Sequence, residues 1–173
     1  MQTIIKDDLD IENFMINDYF KKYDEIIYIN NVILIDKDIN LKLIQKFIEK
    51  NIDIHQKGEQ LLIINCSIGD FDVVKLLIVK GANIHVKDDL AFIKSCINGH
   101  IEIVKLLIDS YANIHAQNDL AFIDSCYNGH IEIAKLLIDS GADIHAQNDE
   151  AFINSCIYGH IKIVKLLIEK KNR

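Results

Sequence analysis

The chain of 173 residues has no proline. Isoleucine, asparagine and lysine are abundant instead, the bias of an AT-rich coding sequence, so part of the composition reflects codon supply and not chemistry. No apolar run approaches the ~18 residues that a membrane span needs. The longest apolar cluster, Ile26 to Ile35, is broken by Asn30 and Asn31. Positive charge is also scarce: 19 Lys and Arg stand against 26 Asp and Glu, a formal net charge of -7. The nearest basic cluster is Lys170, Lys171 and Arg173 at the tail, where a few charges act as a solubilising end. A nucleic-acid backbone requires clustered cations, so it is not the expected partner. The start carries Asp7, Asp8 and Asp10 before any apolar run could form, unlike a secretory signal. Neither a G-x-x-x-x-G-K-[ST] nor a G-x-G-x-x-G run occurs, which removes the usual phosphate-cradling loops. A soluble, intracellular, cytoplasmic protein is expected.

What the chain has is repetition. Cys66, Cys96, Cys126 and Cys156 are spaced by one constant interval, and Gly69, Gly99, Gly129 and Gly159 repeat it three positions later. Self-similarity at a fixed period marks a solenoid, in which no copy has a complete core alone and each is sealed by its neighbours. In one copy, Leu90 to Asn98 reads LAFIKSCIN, which suits a short helix with a small-residue face made of Ala91, Ser95 and Cys96. Gly99 ends it. The following HIEIVKLLIDS, His100 to Ser110, places Glu102, Lys105 and Asp109 on one narrow stripe and is apolar elsewhere. So wide an apolar arc predicts a second helix covered on several sides. Gly81 and Gly141 suit the left-handed residue that closes such a helix, whereas Tyr111 at the equivalent position predicts local strain.

These residues resemble the ankyrin repeats. The likeness rests on GHIEIAKLLIDSGADIHAQ, Gly129 to Gln147, and on near copies at Gly99 and Gly159. It covers the chain from about Ile39 to Lys170 and is weak before that. The family unit is ~33 residues long and opens its first helix with T-P-L-H-x-A. Here the unit is three shorter and reads LAFIKS, LAFIDS or EAFINS, with Ile93, Ile123 and Ile153 in the His position as apolar packing. The shortening falls where the family has the tip of its β-hairpin, so tight turns are expected in place of projecting fingers. The resemblance implies an all-α fold, an ankyrin-type helix-turn-helix solenoid with shortened hairpin loops. Its expected parts are a divergent N-terminal repeat or cap at 1–38, a partial repeat at 39–56, whole repeats at 57–86, 87–116 and 117–146, and a C-terminal repeat at 147–173. Composition and short unit together look like the ankyrin families of amoeba-infecting giant viruses, which would make a host protein the partner. The few residues after Lys170 leave no tail of the kind with which some viral members recruit ubiquitin ligases.

Cys96 and His100, Cys126 and His130, and Cys156 and His160 share a C-x3-H spacing that suggests zinc. Zinc needs four ligands within ~2.3 Å of one point, while equivalent residues of stacked layers lie roughly 10 Å apart. The same separation excludes disulfides. Buried packing is therefore expected of the cysteines, with a metal-binding module kept as the alternative. The histidines form two columns, His100, His130 and His160 after the glycine, and His55, His85, His115 and His145 in the turn; a structural role is expected of both. A nucleophile needs a base and an orienting group, and the candidates here recur identically in several copies, so no enzyme and no cofactor are expected.

Specificity should lie where the copies differ. Second helices are nearly identical, while the first helices diverge at three aligned sets. Lys94, Asp124 and Asn154 form one set; Ile97, Tyr127 and Ile157 a second; Asn98, Asn128 and Tyr158 a third. In ankyrin repeats the first helices and the turns before them line the concave face, and by that resemblance these nine residues are the expected protein-binding strip. Tyr127 and Tyr158 are its favoured anchors, since Tyr brings contact area at low entropy cost. A structural array without a dedicated ligand is the other reading. Ile161, Ile163, Leu166 and Leu167 stay apolar in the last helix, so the C-terminal end is expected to be an exposed patch available for self-association.

Overall fold

The computed structural model describes residues 54–171, together with Gln45. The chain divides into two compact units, Met1–Lys57 and Gly58–Arg173, and the second contains the repeats described here. The expected N-terminal cap at 1–38 and nearly all of the partial repeat at 39–56 lie outside the described residues. Eight helices follow in order: α1 Ile54–Ile68, α2 Phe71–Val79, α3 Val86–Ile97, α4 Ile101–Asp109, α5 Ala116–Tyr127, α6 Ile131–Asp139, α7 Ala146–Ile157 and α8 Ile161–Lys171. Among the described residues there is no strand.

Each first helix ends in a glycine-closed motif. In α3 the His100 N–H donates to Ser95 O at 3.0 Å and the Gly99 N–H to Cys96 O at 3.3 Å, with Gly99 at φ +79°. The second helices close in the same way through Gly81, Tyr111 and Gly141, at φ +85°, +70° and +103°. Tyr111 therefore does hold the left-handed conformation, at a cost of about 1–2 kcal/mol relative to glycine, and its ring projects into solvent.

The turn between copies is tighter than a shortened hairpin. Lys87, Asp88 and Asp89 all have positive φ, of 50°, 56° and 57°, as do Gln117 to Asp119 and Gln147 to Asp149. Three consecutive non-glycine residues in this region persist only where their surroundings hold them. Asp89 supplies much of that hold. Its carboxylate accepts from His85 Nδ1 at 3.1 Å and from the Asn113 N–H of the next copy at 3.0 Å. Asp119 repeats both bonds, to His115 Nδ1 at 3.0 Å and to the Asp143 N–H at 3.0 Å. Gln117 Nε2 adds a bond to Asp88 O of the preceding turn. The turn histidines thus have a structural partner, as expected, but through an aspartate that reading the column alone does not supply. His55 differs: it lies within α1 and not in a turn. Glu59 stands there in place of the aspartate of the later copies.

Two layers of helices result. In the first layer, α3, α5 and α7 approach one another more closely than α4, α6 and α8 do in the second. The cause is side-chain size: Ala91, Ser95 and Cys96, and their equivalents Ala121, Ser125 and Cys126, are fully buried between successive first helices. The stack therefore bends with the first helices on the inside. Phe92, Ile93, Ile103 and Leu107, with Phe122, Ile123, Ile133 and Leu137, fill the space between the layers, each stabilising the stack by roughly 1.5–3 kcal/mol. Ile93 and Ile123 are the apolar packing residues expected at that position. Ile153 is not, being 49% exposed, because the structure describes no copy beyond it to cover it.

Candidate protein-binding face

The diverging residues lie along the first helices, on the tight inner layer. Asn98, Asn128, Tyr127, Ile157 and Tyr158 are exposed, and Lys94, Asp124, Asn154 and Ile97 are half-buried. Successive copies touch through them. Asn98 Nδ2 donates to Ser67 Oγ at 3.2 Å, and the Tyr127 and Tyr158 rings lie 4.4 Å apart at 60°. Asn98 and Asn128 also donate to Lys94 O and Asp124 O, one turn back, which holds their side chains against the helix end. The strip is thus polar at Asn98 and Asn128 and aromatic at Tyr127 and Tyr158.

Charge varies along the same strip. Burial raises the Asp124 carboxyl above its usual range, nearby Lys94 opposes that shift and Glu150 adds to it. Tyr127 is raised by its hydrogen bond to Tyr158 and, less strongly, by Asp124. Glu150 is the one residue of this electrostatic group outside the nine expected from the sequence. The signal was present, since Glu150 stands where Leu90 and Leu120 do.

The second histidine column fixes the strip's backbone. His100 Nε2 donates to Ser67 O at 2.9 Å, His130 Nε2 to Ile97 O at 2.9 Å and His160 Nε2 to Tyr127 O at 2.8 Å. Each bond runs back to the preceding copy, not on to the next. The imidazole lies flat against the preceding glycine, so a Cβ at Gly69, Gly99 or Gly129 would come within 2.5–2.7 Å of its Cε1. A carbonyl can only accept, so these rings carry their proton on Nε2, whereas the turn histidines carry it on Nδ1. Asp70 occupies the same position in the first complete copy and caps its own helix, accepting from the Val73 N–H at 3.3 Å.

The C-x3-H pairs do not converge. Cys66, Cys96 and Cys126 are buried and Cys156 is exposed, while the histidines are committed to carbonyls. The Ser95 and Ser125 hydroxyls pull the Cys96 thiol down and the Ser155 hydroxyl that of Cys126, but burial outweighs them. Burial pushes the Cys66 and Cys126 thiols up to about 12 and raises Cys96 further. Among the described residues, no group of three or more His, Cys, Asp or Glu side chains is placed to hold a metal ion. Nor is any described helix long and apolar enough to cross a membrane.

A family model described as ankyrin repeats (3 copies) matches residues 33–118, 61–148 and 122–173. The chain belongs to the ankyrin-repeat family. The matches take in most of the chain, including the segment from 33 that the sequence reading assigned to its cap and partial repeat. No curated protein matches it. The helix pairs, their tight inner layer and the absence of strands among the described residues make this an all-α ankyrin solenoid whose hairpins are reduced to left-handed turns.

Proposed function

We propose that this ankyrin-repeat chain is a non-enzymatic scaffold that binds a protein partner through its first helices and the turns before them. Ankyrin repeats are in general protein-protein interaction modules. The observation that carries the reading is the pairing of exposed Tyr127 and Tyr158 at 4.4 Å, with Ile157 beside them, on a backbone pinned by His130 and His160. Preorganised aromatic side chains lose little freedom on binding, which favours an anchor over a merely solvated surface. Asn98, Asn128, Lys94, Asp124 and Asn154 surround these anchors with groups that reward a polar, charge-matched rim. The likeness to the viral ankyrin families points to a host protein as the partner.

Capture from a cell lysate, identification of the retained protein and titration with that purified protein test the reading. Changing Tyr127 and Tyr158 together to Ala should weaken the measured affinity by about tenfold or more. Changing Lys105, on the outer helix layer, to Ala should leave it unchanged. If both variants bind as tightly as the parent chain, the strip is not the contact surface. If nothing is retained at all, the array has no dedicated ligand.

A further inference from the structure

Each groove between successive first helices is built from two copies, and two such grooves differ at every equivalent position. Beside α3 and α5 the positions are Lys94, Ile97, Leu120 and Asn128; beside α5 and α7 they are Asp124, Tyr127, Glu150 and Tyr158. One groove is basic and otherwise uncharged, whereas the other combines two carboxylates with two tyrosines. Both helices of the second groove are described, and its parts are in mutual reach. The Tyr127 and Tyr158 rings lie 4.4 Å apart, Glu150 acts on the Asp124 carboxyl, and Asp124 acts on Tyr127 from one helical turn away.

Stacking does not require these residues. Leu90 and Leu120 fill the position of Glu150 in the preceding copies, and a carboxylate there stands, half-buried, near a second half-buried carboxylate. Burial pushes Asp124 towards its neutral form, Lys94 opposes that from the preceding groove, and Glu150 adds to it. The balance is unfavourable to the charged form, so the groove is short of positive charge. Tyr127 stays 41% exposed although α7 is stacked against its helix, and its carbonyl accepts from His160 Nε2 at 2.8 Å. A local conflict of charge beside a fixed, exposed aromatic ring is the mark of a contact site.

We propose that the groove between α5 and α7 takes an arginine side chain of the protein partner, so that the segment bound there is basic; this deepens, and rests on, the reading of the strip as a protein-binding face. Tyrosine rings attract a cation over their faces. A guanidinium is planar and weakly hydrated, so it can stack on such a ring while its fork of N–H donors faces a carboxylate. An ammonium, compact and strongly hydrated, gains less from the same surroundings. Asp124 and Glu150 supply the carboxylates along the groove, and the net charge of -7 favours the approach of a basic segment. An acidic or neutral segment would shield the two carboxylates from water and leave them uncompensated. The preceding groove, with Lys94, Ile97, Leu120 and Asn128, offers none of this, so the preference belongs to one groove and not to the repeat.

A random library of short linear peptides, displayed on phage and selected on the full chain, tests this. Recovered peptides should carry arginine well above its input frequency, and synthetic versions with that arginine changed to Gln should bind about tenfold more weakly or worse. Asp124→Lys, Tyr127→Ile, Glu150→Leu and Tyr158→Asn each install the residue of the preceding groove, which keeps the fold, as unchanged helical circular dichroism and a urea midpoint no lower than the parent's will show. Each should weaken the arginine peptides by about tenfold, and Lys105→Ala on the outer layer should not. Peptides recovered without arginine that still lose binding in Tyr127→Ile and Tyr158→Asn overturn the arginine site and leave the protein-binding face standing. Arginine peptides indifferent to all four groove changes overturn both, since they bind elsewhere. Equal binding after Arg is replaced by Lys overturns the stacked guanidinium. If no peptide is enriched, the groove is not an arginine site, whereas titration with a captured partner still decides the wider reading.

Discussion

The clasp between a glycine and the next copy's histidine can be weighed by adding one methyl group. Gly99 and Gly159 have nearly the same backbone, φ +79° and +73°. A Cβ at Gly99 would lie 2.7 Å from Cε1 of His130 and 3.0 Å from its Nδ1, whereas a Cβ at Gly159 meets nothing within 4 Å. Gly159→Ala should therefore cost only the left-handed penalty, about 1–2 kcal/mol. Gly99→Ala carries that penalty together with displacement of the ring, about 1–3 kcal/mol, and weakening of the bond from His130 to Ile97 O, about 1 kcal/mol. A total of about 3–6 kcal/mol is expected. His130→Ala alone should cost about 1–3 kcal/mol, since it leaves the Ile97 carbonyl without that donor. In the double variant the methyl group enters the space vacated by the ring, so the two losses should fall short of their sum by about 1–2 kcal/mol. Urea denaturation followed by circular dichroism measures all four corners of the cycle. Additivity within about 0.5 kcal/mol, or a Gly99→Ala variant no less stable than Gly159→Ala, would refute the clasp.

Tyr111→Gly should raise stability by about 0.5–1 kcal/mol, the relieved left-handed strain less the added freedom of the unfolded chain; the ring is 87% exposed, so little packing is lost, and an unchanged or lower urea midpoint would count against the strain. Of the four cysteines, Cys156 alone should react rapidly with an aromatic disulfide near about pH 8, where a thiolate is required, while Cys66, Cys96 and Cys126 wait for unfolding. The same burial has a consequence for stability. Folding raises these thiols above their ordinary 9.0, so their contribution is fully present below that value and is lost as pH rises towards about 12. A urea midpoint that held steady well above 9.0 would contradict it.

Much of the architecture was legible because repetition reports on packing directly. A cysteine and a glycine recurring together mark a buried small residue and a left-handed turn in every copy, and Ile93 and Ile123 pack as their apolar character requires. The apolar arc of HIEIVKLLIDS foretold burial on several sides. What the period does not reveal is direction and partner. His100 could have reached forward or back, and only the stacking of layers shows its ring lying on Gly69 and bonding to Ser67 O. Nor does the sequence of the turn announce that Lys87 to Asp89 all adopt positive φ. That conformation depends on Asp89 finding both His85 and the Asn113 N–H, one partner within its own turn and one 24 residues away. For the candidate strip, comparison of the copies singled out Tyr127 and Tyr158, but their closeness in space, and the influence of Glu150 on Asp124, are properties of neighbouring layers.

By itself, then, the sequence determined the unit, its two helices and which faces must be covered, since periodicity and residue size act within a single copy. Tertiary structure alone decided how copies are locked to one another, and that Ile153 and Cys156 lie open while their counterparts are sealed. Identical residues have different surroundings according to whether a neighbour is stacked against them, and that is a property of the stack that no one copy contains.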